Sequence, residues 1–203
     1  MSSRPYRQVR RAEMHSDMRE RIVRATVALH AKQGALNTTH AMIADEAGVS
    51  PQTVYNHFPD RGAVIEACTG HVSARAPRVD RDCFAPARSP AERVARLAAA
   101  VYARHDYMTP WLRLGWHEAA VIPELGAILA RAEAEIRELV IDAMVTRPEK
   151  PDADVVDLAT ALLAYPTWQQ LTKTRGSAAA ARLVGRSLGQ LLSRNWRTRE
   201  RKP

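Results

Sequence analysis

Cysteine is nearly absent from this chain, with only Cys68 and Cys83 among 203 residues. Two thiols with no metal-type spacing argue against a disulfide scaffold and a structural zinc, and two reduced cysteines are expected. No apolar run is long enough to span a bilayer. The opening MSSRPYRQVRRAEMHS lacks the apolar core of a secretory signal. The expected compartment is the cytoplasm, with no membrane partner, because the basic tails carry no apolar anchoring face. Catalytic signatures are missing too: there is no nucleophile elbow, phosphate loop, zinc-ligand set or dinucleotide fingerprint. His105–Asp106 and His117–Glu118 are adjacent pairs that point to different sides of a helix, so neither forms a relay. No catalytic residue, metal or cofactor is expected, and the chain is not read as an enzyme.

Acidic residues are in the minority, 22 against 30 Lys+Arg, for a net charge of +8. That balance favours polyanionic partners. Arg4, Arg7, Arg10 and Arg11 precede the first acid. Arg194, Arg197, Arg199, Arg201 and Lys202 crowd the far end around Glu200. Residues 1–15 are expected to be a basic flexible arm, and the C-terminal tail a solvated end.

Alternating strand patterns are lacking, and nearly every periodic segment reads as helix. Ile22, Ala25, Thr26 and Leu29 predict a first helix from near Ser16, stopped by Gly34. Thr38-Thr39 can cap a second through Met42, Ile43 and Ala47, closed by Gly48. Ser50 and Pro51 start a third that ends near His57, and Asp60 caps a fourth through Ala63, Val64 and Ala67. The proline- and charge-rich stretch 76–90 reads as a boundary. Ser89-Pro90-Ala91-Glu92 opens a fifth helix, Thr109-Pro110 a sixth and Pro123 a seventh, with RPEKPD as a turn. A long helix from about Asp152 to Arg175 is expected to bend at Pro166, and a last runs from Ser177 to about Trp196. The fold class is all-α with about nine helices. A three-helix head at 16–62 is joined by its fourth helix to a larger body spanning 63–203.

A helix, a tight glycine turn and a helix starting near Ser50 form a helix-turn-helix. Such a pair lays its second helix in the major groove, with its leading side chains at base edges. Gln52 offers paired donor and acceptor groups suited to adenine, and Thr53 a hydroxyl or a methyl. Tyr55 and His57 alternate with Val54 and Phe58, placing polar tips toward the backbone.

Residues 19–67, with RERIVRATVALHAKQG and TTHAMIADEAGVSPQTVYNHFPDRGAVIEA, resemble the DNA-binding head of the TetR family of bacterial transcription regulators. The resemblance covers about a quarter of the chain. It implies a homodimer on a double-stranded operator, with a helical body that binds a small-molecule effector and so releases DNA. It carries over Thr39 or His40 and Ala41 in the second helix, Pro51, Gln52, Thr53, Tyr55 and His57 in the reading helix, and Arg61 beside a phosphate. Three positions depart from the family pattern. His30 replaces a common phenylalanine, predicting wetter packing; Ala41 lacks a polar side chain; Gly62 replaces a usual glutamate. The arginines ahead of the first helix are candidates for flanking phosphates or the minor groove.

In the last helix Ser177, Ala181, Gly185, Gly189 and Ser193 recur every four residues. Interior glycine costs about 1 kcal/mol relative to alanine, so a close helix neighbour is expected. The expected neighbour is a second copy, with Ala181, Val184, Gly185, Leu188, Gly189 and Leu192 at the dimer face; the alternative is a helix of the same subunit. The candidate effector pocket comprises Tyr102, His105, Met108, Trp111, Trp116, His117, Leu129, Tyr165 and Trp168, an apolar and aromatic lining with a few polar tips. The function expected is a ligand-released repressor. The alternative is a small-molecule-binding or scaffold protein of the same fold that does not bind DNA specifically.

Overall fold

The computed structural model describes residues 4–145 and 151–199, with side chains for 8–145 and 151–193. The expected turn at 147–152 lies largely outside that range, as do the side chains of the C-terminal basic tail and of Arg4 and Arg7. Among the described residues there are nine α-helices and no strand. They fall into two compact units, Met1–Arg75 with Arg113–Ala127, and Ala76–Leu112 with Ile128–Pro203. The first unit therefore extends past residue 62 and includes an inserted stretch that no local sequence signal marks.

In the first unit α1 spans Arg4–Gln33, α2 His40–Ala47, α3 Pro51–His57 and α4 Arg61–Ser73. α1 begins at Arg4, not at Ser16, so residues 4–15 are helical and not a flexible arm. Pro5 sits in the first turn, where its missing N–H costs nothing, and no glycine or proline follows before Gly34. Side-chain caps set the next three starts: Thr39 accepts from Met42 N, Ser50 from Thr53 N and Asp60 from Ala63 N. Gly48, at φ 63°, ends α2 in the left-handed conformation. Ile22, Ala25, Leu29, Ile43, Ala44, Val54, Phe58 and Val64 pack as one core.

The remaining helices are α5 (Pro90–Glu118), α6 (Pro123–Met144), α7 (Ala153–Leu163), α8 (Tyr165–Thr172) and α9 (Ser177–Arg199). The ends of α5 and α6 that meet at residues 119–122 belong to the first unit. Glu118 closes α5 there, only 8% exposed, and its carboxylate accepts from Ala35 N at 2.8 Å and Leu36 N at 3.2 Å. Gly34, at φ 83°, makes this possible, since any Cβ there would collide with the Glu118 carboxylate. Two consecutive amides beside a left-handed glycine form an anion cradle, and their charge-assisted bonds offset burial of the carboxylate. Thr38 Oγ1 donates to Gly34 O at 2.6 Å, tightening the same turn directly ahead of α2. Gly62 also gains a role: Glu124 Cγ lies 3.1 Å from where its Cβ would be. A side chain of α6 thus fills the place left by the missing one in α4.

In the second unit the expected fifth and sixth helices are one, because α5 continues through Pro110. Pro110 deprives only the Asp106 carbonyl of its partner, and both residues lie on an exposed side where water can serve. The expected helix at 152–175 does not bend but breaks, at Ala164 with φ −66° and ψ 150°. Side chains claim the carbonyls left at the break, and Ala161 O also accepts from Ala164 N at 3.3 Å. Thr167 Oγ1 donates to Ala161 O at 2.7 Å, Tyr102 OH to Leu162 O at 2.8 Å and His105 Nε2–H to Leu163 O at 2.9 Å. Pro166 offers no N–H to Leu162 O, and the Tyr102 hydroxyl takes its place. In the 76–90 stretch, Phe84 is buried beneath the Arg93 guanidinium, 5.0 Å away.

The small ridge of α9 corrects an expectation. A Cβ at Gly185 would lie 3.0 Å from Ala95 Cα and Cβ, and one at Gly189 3.3 Å from Ala91 Cβ, so the glycines admit α5 of the same chain. Ala181, Val184 and Leu188 are buried in this unit as well.

Replacing Glu118 by alanine removes two charge-assisted hydrogen bonds from buried amides. It is expected to destabilise the protein by about 2–4 kcal/mol, measured as a lower urea midpoint, and to speed hydrogen exchange at Ala35 and Leu36.

Candidate nucleic-acid interface

α3 is a seven-residue helix with one face in the core. Val54 is 0% exposed and Phe58 is buried beside it, whereas Pro51, Gln52, Tyr55 and Asn56 face solvent. Arg21 Nη2 reaches Gly48 O at 3.4 Å, tying α1 to the turn between α2 and α3. Gln52 Nε2 donates to Asn56 Oδ1 at 3.0 Å, which holds the Gln52 amide along the helix. Asn56 was missed in the sequence, although its four-residue spacing from Gln52 was the available signal. The Thr53 hydroxyl lies 2.8 Å from Ser50 Oγ and so belongs to the N-cap.

Tyr55 is 49% exposed and its ring stacks on His40, centroids 4.3 Å apart and 2° from parallel. His40 Nε2 lies 3.0 Å from Phe58 O; a carbonyl only accepts, so this nitrogen carries the proton. His40 therefore ties the start of α2 to the end of α3 and braces the Tyr55 ring. Thr39 spends its hydroxyl on the α2 cap, Ala41 presents an exposed methyl, and Arg61 is exposed at the start of α4. His57 is half-buried with its ring centroid 4.2 Å from that of His15. Its Nδ1 has no hydrogen-bond partner. Burial first, then the neighbouring His15 and Arg19, lower its pKa. Arg19 itself lies over the Phe58 ring at 5.0 Å. His15, Arg19 and Arg21 are further interface-side residues that the motif alone did not single out.

A cavity of about 170 Å³ lies behind this face, lined by His30, Thr38, His40, Tyr55, Arg61 and Val64 among others. Here His30 stands where wetter packing was expected. Burial pushes its pKa down to about 4, so the ring is neutral near pH 7.

The expected effector residues divide between the units. Trp116 and His117 belong to the first, while Tyr102, His105, Met108, Trp111, Leu129, Tyr165 and Trp168 belong to the second. Four of the latter come together: the His105 ring lies 5.6 Å from Tyr165 and 5.9 Å from Trp168, with Tyr102 at 6.2 Å. Trp168 Nε1 donates to Ser177 Oγ at 2.8 Å. With Tyr102 and His105 bonded to the α7 carbonyls, these three residues spend their polar tips inside the chain. Trp111 stands against Tyr107 at 6.1 Å. Met108 and Leu129 are half-buried.

Residues 22–68 match the family described as bacterial regulatory proteins, tetR family. The likeness to that family lies in the head, over those residues. Among curated relatives, the HTH-type transcriptional regulator BetI of Brucella canis is 28% identical over 109 residues, 52% of this chain and 55% of that protein. BetI of Brucella suis is 27% identical over 103 residues, 49% and 52%. The chain thus spans about half the length of the curated relatives it matches. Solved structures extend the likeness in fold. A TetR-family transcriptional regulator from a Rhodococcus species superimposes with a TM-score of 0.61 at 22% identity, covering 87% of this chain and 99% of that one. Salmonella enterica GusR gives 0.53 at 23%, covering 87% and 94%.

Protonation of His30 is the event to test in the head. Between the ordinary histidine value of 6.5 and about 4, the unfolded chain binds a proton that the folded head refuses. Stability is whole above that window and falls with acid, by up to about 3 kcal/mol. Urea midpoints at pH 7 and pH 4.5 should drop further for the wild type than for His30→Phe.

Proposed function

We propose that this protein is a dimeric DNA-binding repressor, released from its operator by a small, largely apolar or aromatic molecule held in the helical body. The observation that carries the reading is the polarity of α3. Its apolar side, Val54 with Phe58, is spent on the head's core, and Gln52, Tyr55 and Asn56 make the opposite side polar and open. A short helix with that division, at the matched position of a TetR-type head, is suited to the major groove.

In this reading Gln52 contacts a base edge, with its amide preset by Asn56, and the Thr53 side chain lies beside it. Tyr55, braced by His40, and the exposed Arg61 bind phosphates and fix register; Thr39, Ala41, Pro51 and His57 border the contact. Two copies related by a two-fold axis would set their reading helices about 34 Å apart, one DNA turn. Because Ala181, Val184, Gly185 and Leu188 are buried against the chain itself, the second copy would meet α9 through its outer side, where Leu192 remains half-exposed. The body residues proposed to sense the effector are those of α5, α6 and α8, with Met108, Trp111 and Leu129 nearer solvent than the buried aromatic cluster. An effector need favour the DNA-incompetent arrangement by only a few kcal/mol to empty the operator. α5 offers a physical route, since it runs from the second unit into the first and ends at the Glu118 carboxylate beneath the α1–α2 turn.

Binding to duplexes from the DNA flanking its own gene, followed by fluorescence anisotropy, tests the division of roles. Gln52→Ala should cost about 1–3 kcal/mol on the preferred duplex and relax sequence preference. Tyr55→Phe keeps the stack on His40 and should weaken all duplexes alike. Identical effects of the two changes would overturn the assignment. A wild-type protein with no salt-sensitive specific binding would favour the scaffold reading.

A further inference from the structure

α1 carries one continuous stripe whose chemistry changes along its length. Leu29, Ala25, Ile22, Met18, His15 and Arg11 alternate at spacings of four and three, so they share one helix face. From Leu29 to Ile22 that face lies in the head's core, and Met18 packs at its edge. At His15 the same face meets the C-terminal end of α3, through the ring contact with His57. Arg19 and Arg21 flank the stripe on either side, one over Phe58 and one on Gly48 O. One turn beyond His15, about 6 Å along the axis, the stripe emerges at Arg11, with Arg10 on the side of Arg21. Both arginines are exposed, and Arg10 and Arg11 take part in none of the ion pairs among the described residues. Glu13 and Glu20 fall on the far side, where Glu20 pairs with Arg24, while Asp17 lies two turns from Arg10 on the side of Arg10 and Arg21.

We propose that Arg11 and Arg10, on the helical extension of α1 beyond the end of the reading helix, grip the phosphate backbone of duplex DNA next to the bases under α3. The inference rests on α3 being the reading helix. The occupant follows from charge and from continuity. An apolar face that turns basic where it leaves the core suits a polyanion, and the His15–His57 contact fixes this segment beside the proposed reading surface. A helix is also a better guide than a flexible arm, since no chain entropy is spent on ordering it when DNA arrives. The contact carries no sequence information, so it should add affinity without changing preference.

The test uses the full chain as wild type, Arg11→Gln, Arg10→Gln/Arg11→Gln and Arg24→Gln. The last removes the same charge from an arginine about three to four turns further along the helix, already paired with Glu20. Affinity is measured from 50 to 200 mM salt for a duplex from the DNA flanking its own gene and for a random duplex of equal length. The slope of log affinity against log salt should become shallower by about 0.9 for each of Arg11 and Arg10 lost. Arg24→Gln should leave it unchanged, as should all variants the ratio between the two duplexes. Circular dichroism showing wild-type helix content guards against a folding artefact, and glutamine is a good helix former. If the wild type binds specifically while the double variant keeps its slope, or matches Arg24→Gln, the grip is overturned and the reading helix stands. If the wild type binds neither duplex, both fall.

Discussion

The arrangement of the head hinges on one carboxylate. Glu118, at the last residue of α5, is buried against the turn that sends the chain from α1 into α2, and it satisfies two amides that no helix could use. Position 34 must be glycine for two separate reasons, a left-handed backbone and the space the carboxylate occupies. Where α2 starts, and hence where the turn and α3 follow, depends on that joint. A buried charge is retained only when its hydrogen bonds are complete, so the joint has little tolerance for partial loosening. The sequence pair His117–Glu118, which forms no catalytic relay, contains a long-range polar contact of the head.

α3 shows how a helix too short to persist alone is fixed at the surface. Isolated helices of this length do not hold together in water. Val54 and Phe58 fasten one side, Ser50 and Pro51 fix the start, and His40 bonds the carbonyl at the end. What remains outward is Gln52, Tyr55 and Asn56, each already oriented by an intramolecular partner or stack. Pre-ordering of that kind lowers the entropy lost on binding.

The second unit meets the same physical problem with other materials. Breaking the chain at Ala164 leaves the Leu162 and Leu163 carbonyls without helical donors, and Tyr102 and His105 supply them, while Thr167 reinforces Ala161 O. The aromatic cluster is thus held in place by hydrogen bonding as well as by packing. Cys68 belongs to the structural class too: burial pushes its thiol up to about 12, which leaves it inert.

Local chemistry determined much of this molecule. The helix starts at Thr39, Ser50 and Asp60, the left-handed glycines and the inward pair Val54 and Phe58 all depend on neighbours within a few residues, and all were legible as a helix-turn-helix. Tertiary structure decided the rest, because the competing terms come from residues far apart in the chain. Pro110 stays inside a helix since solvent can serve the one carbonyl it orphans, whereas the chain at Pro166 breaks since side chains stand ready for its carbonyls. Gly185 and Gly189 require a close neighbour, as their spacing indicated, but only packing could choose α5 of the same chain over a second copy. Glu118 reaches Ala35 across more than eighty positions; no periodicity encodes such a bond, and it exists only once the helices are in place.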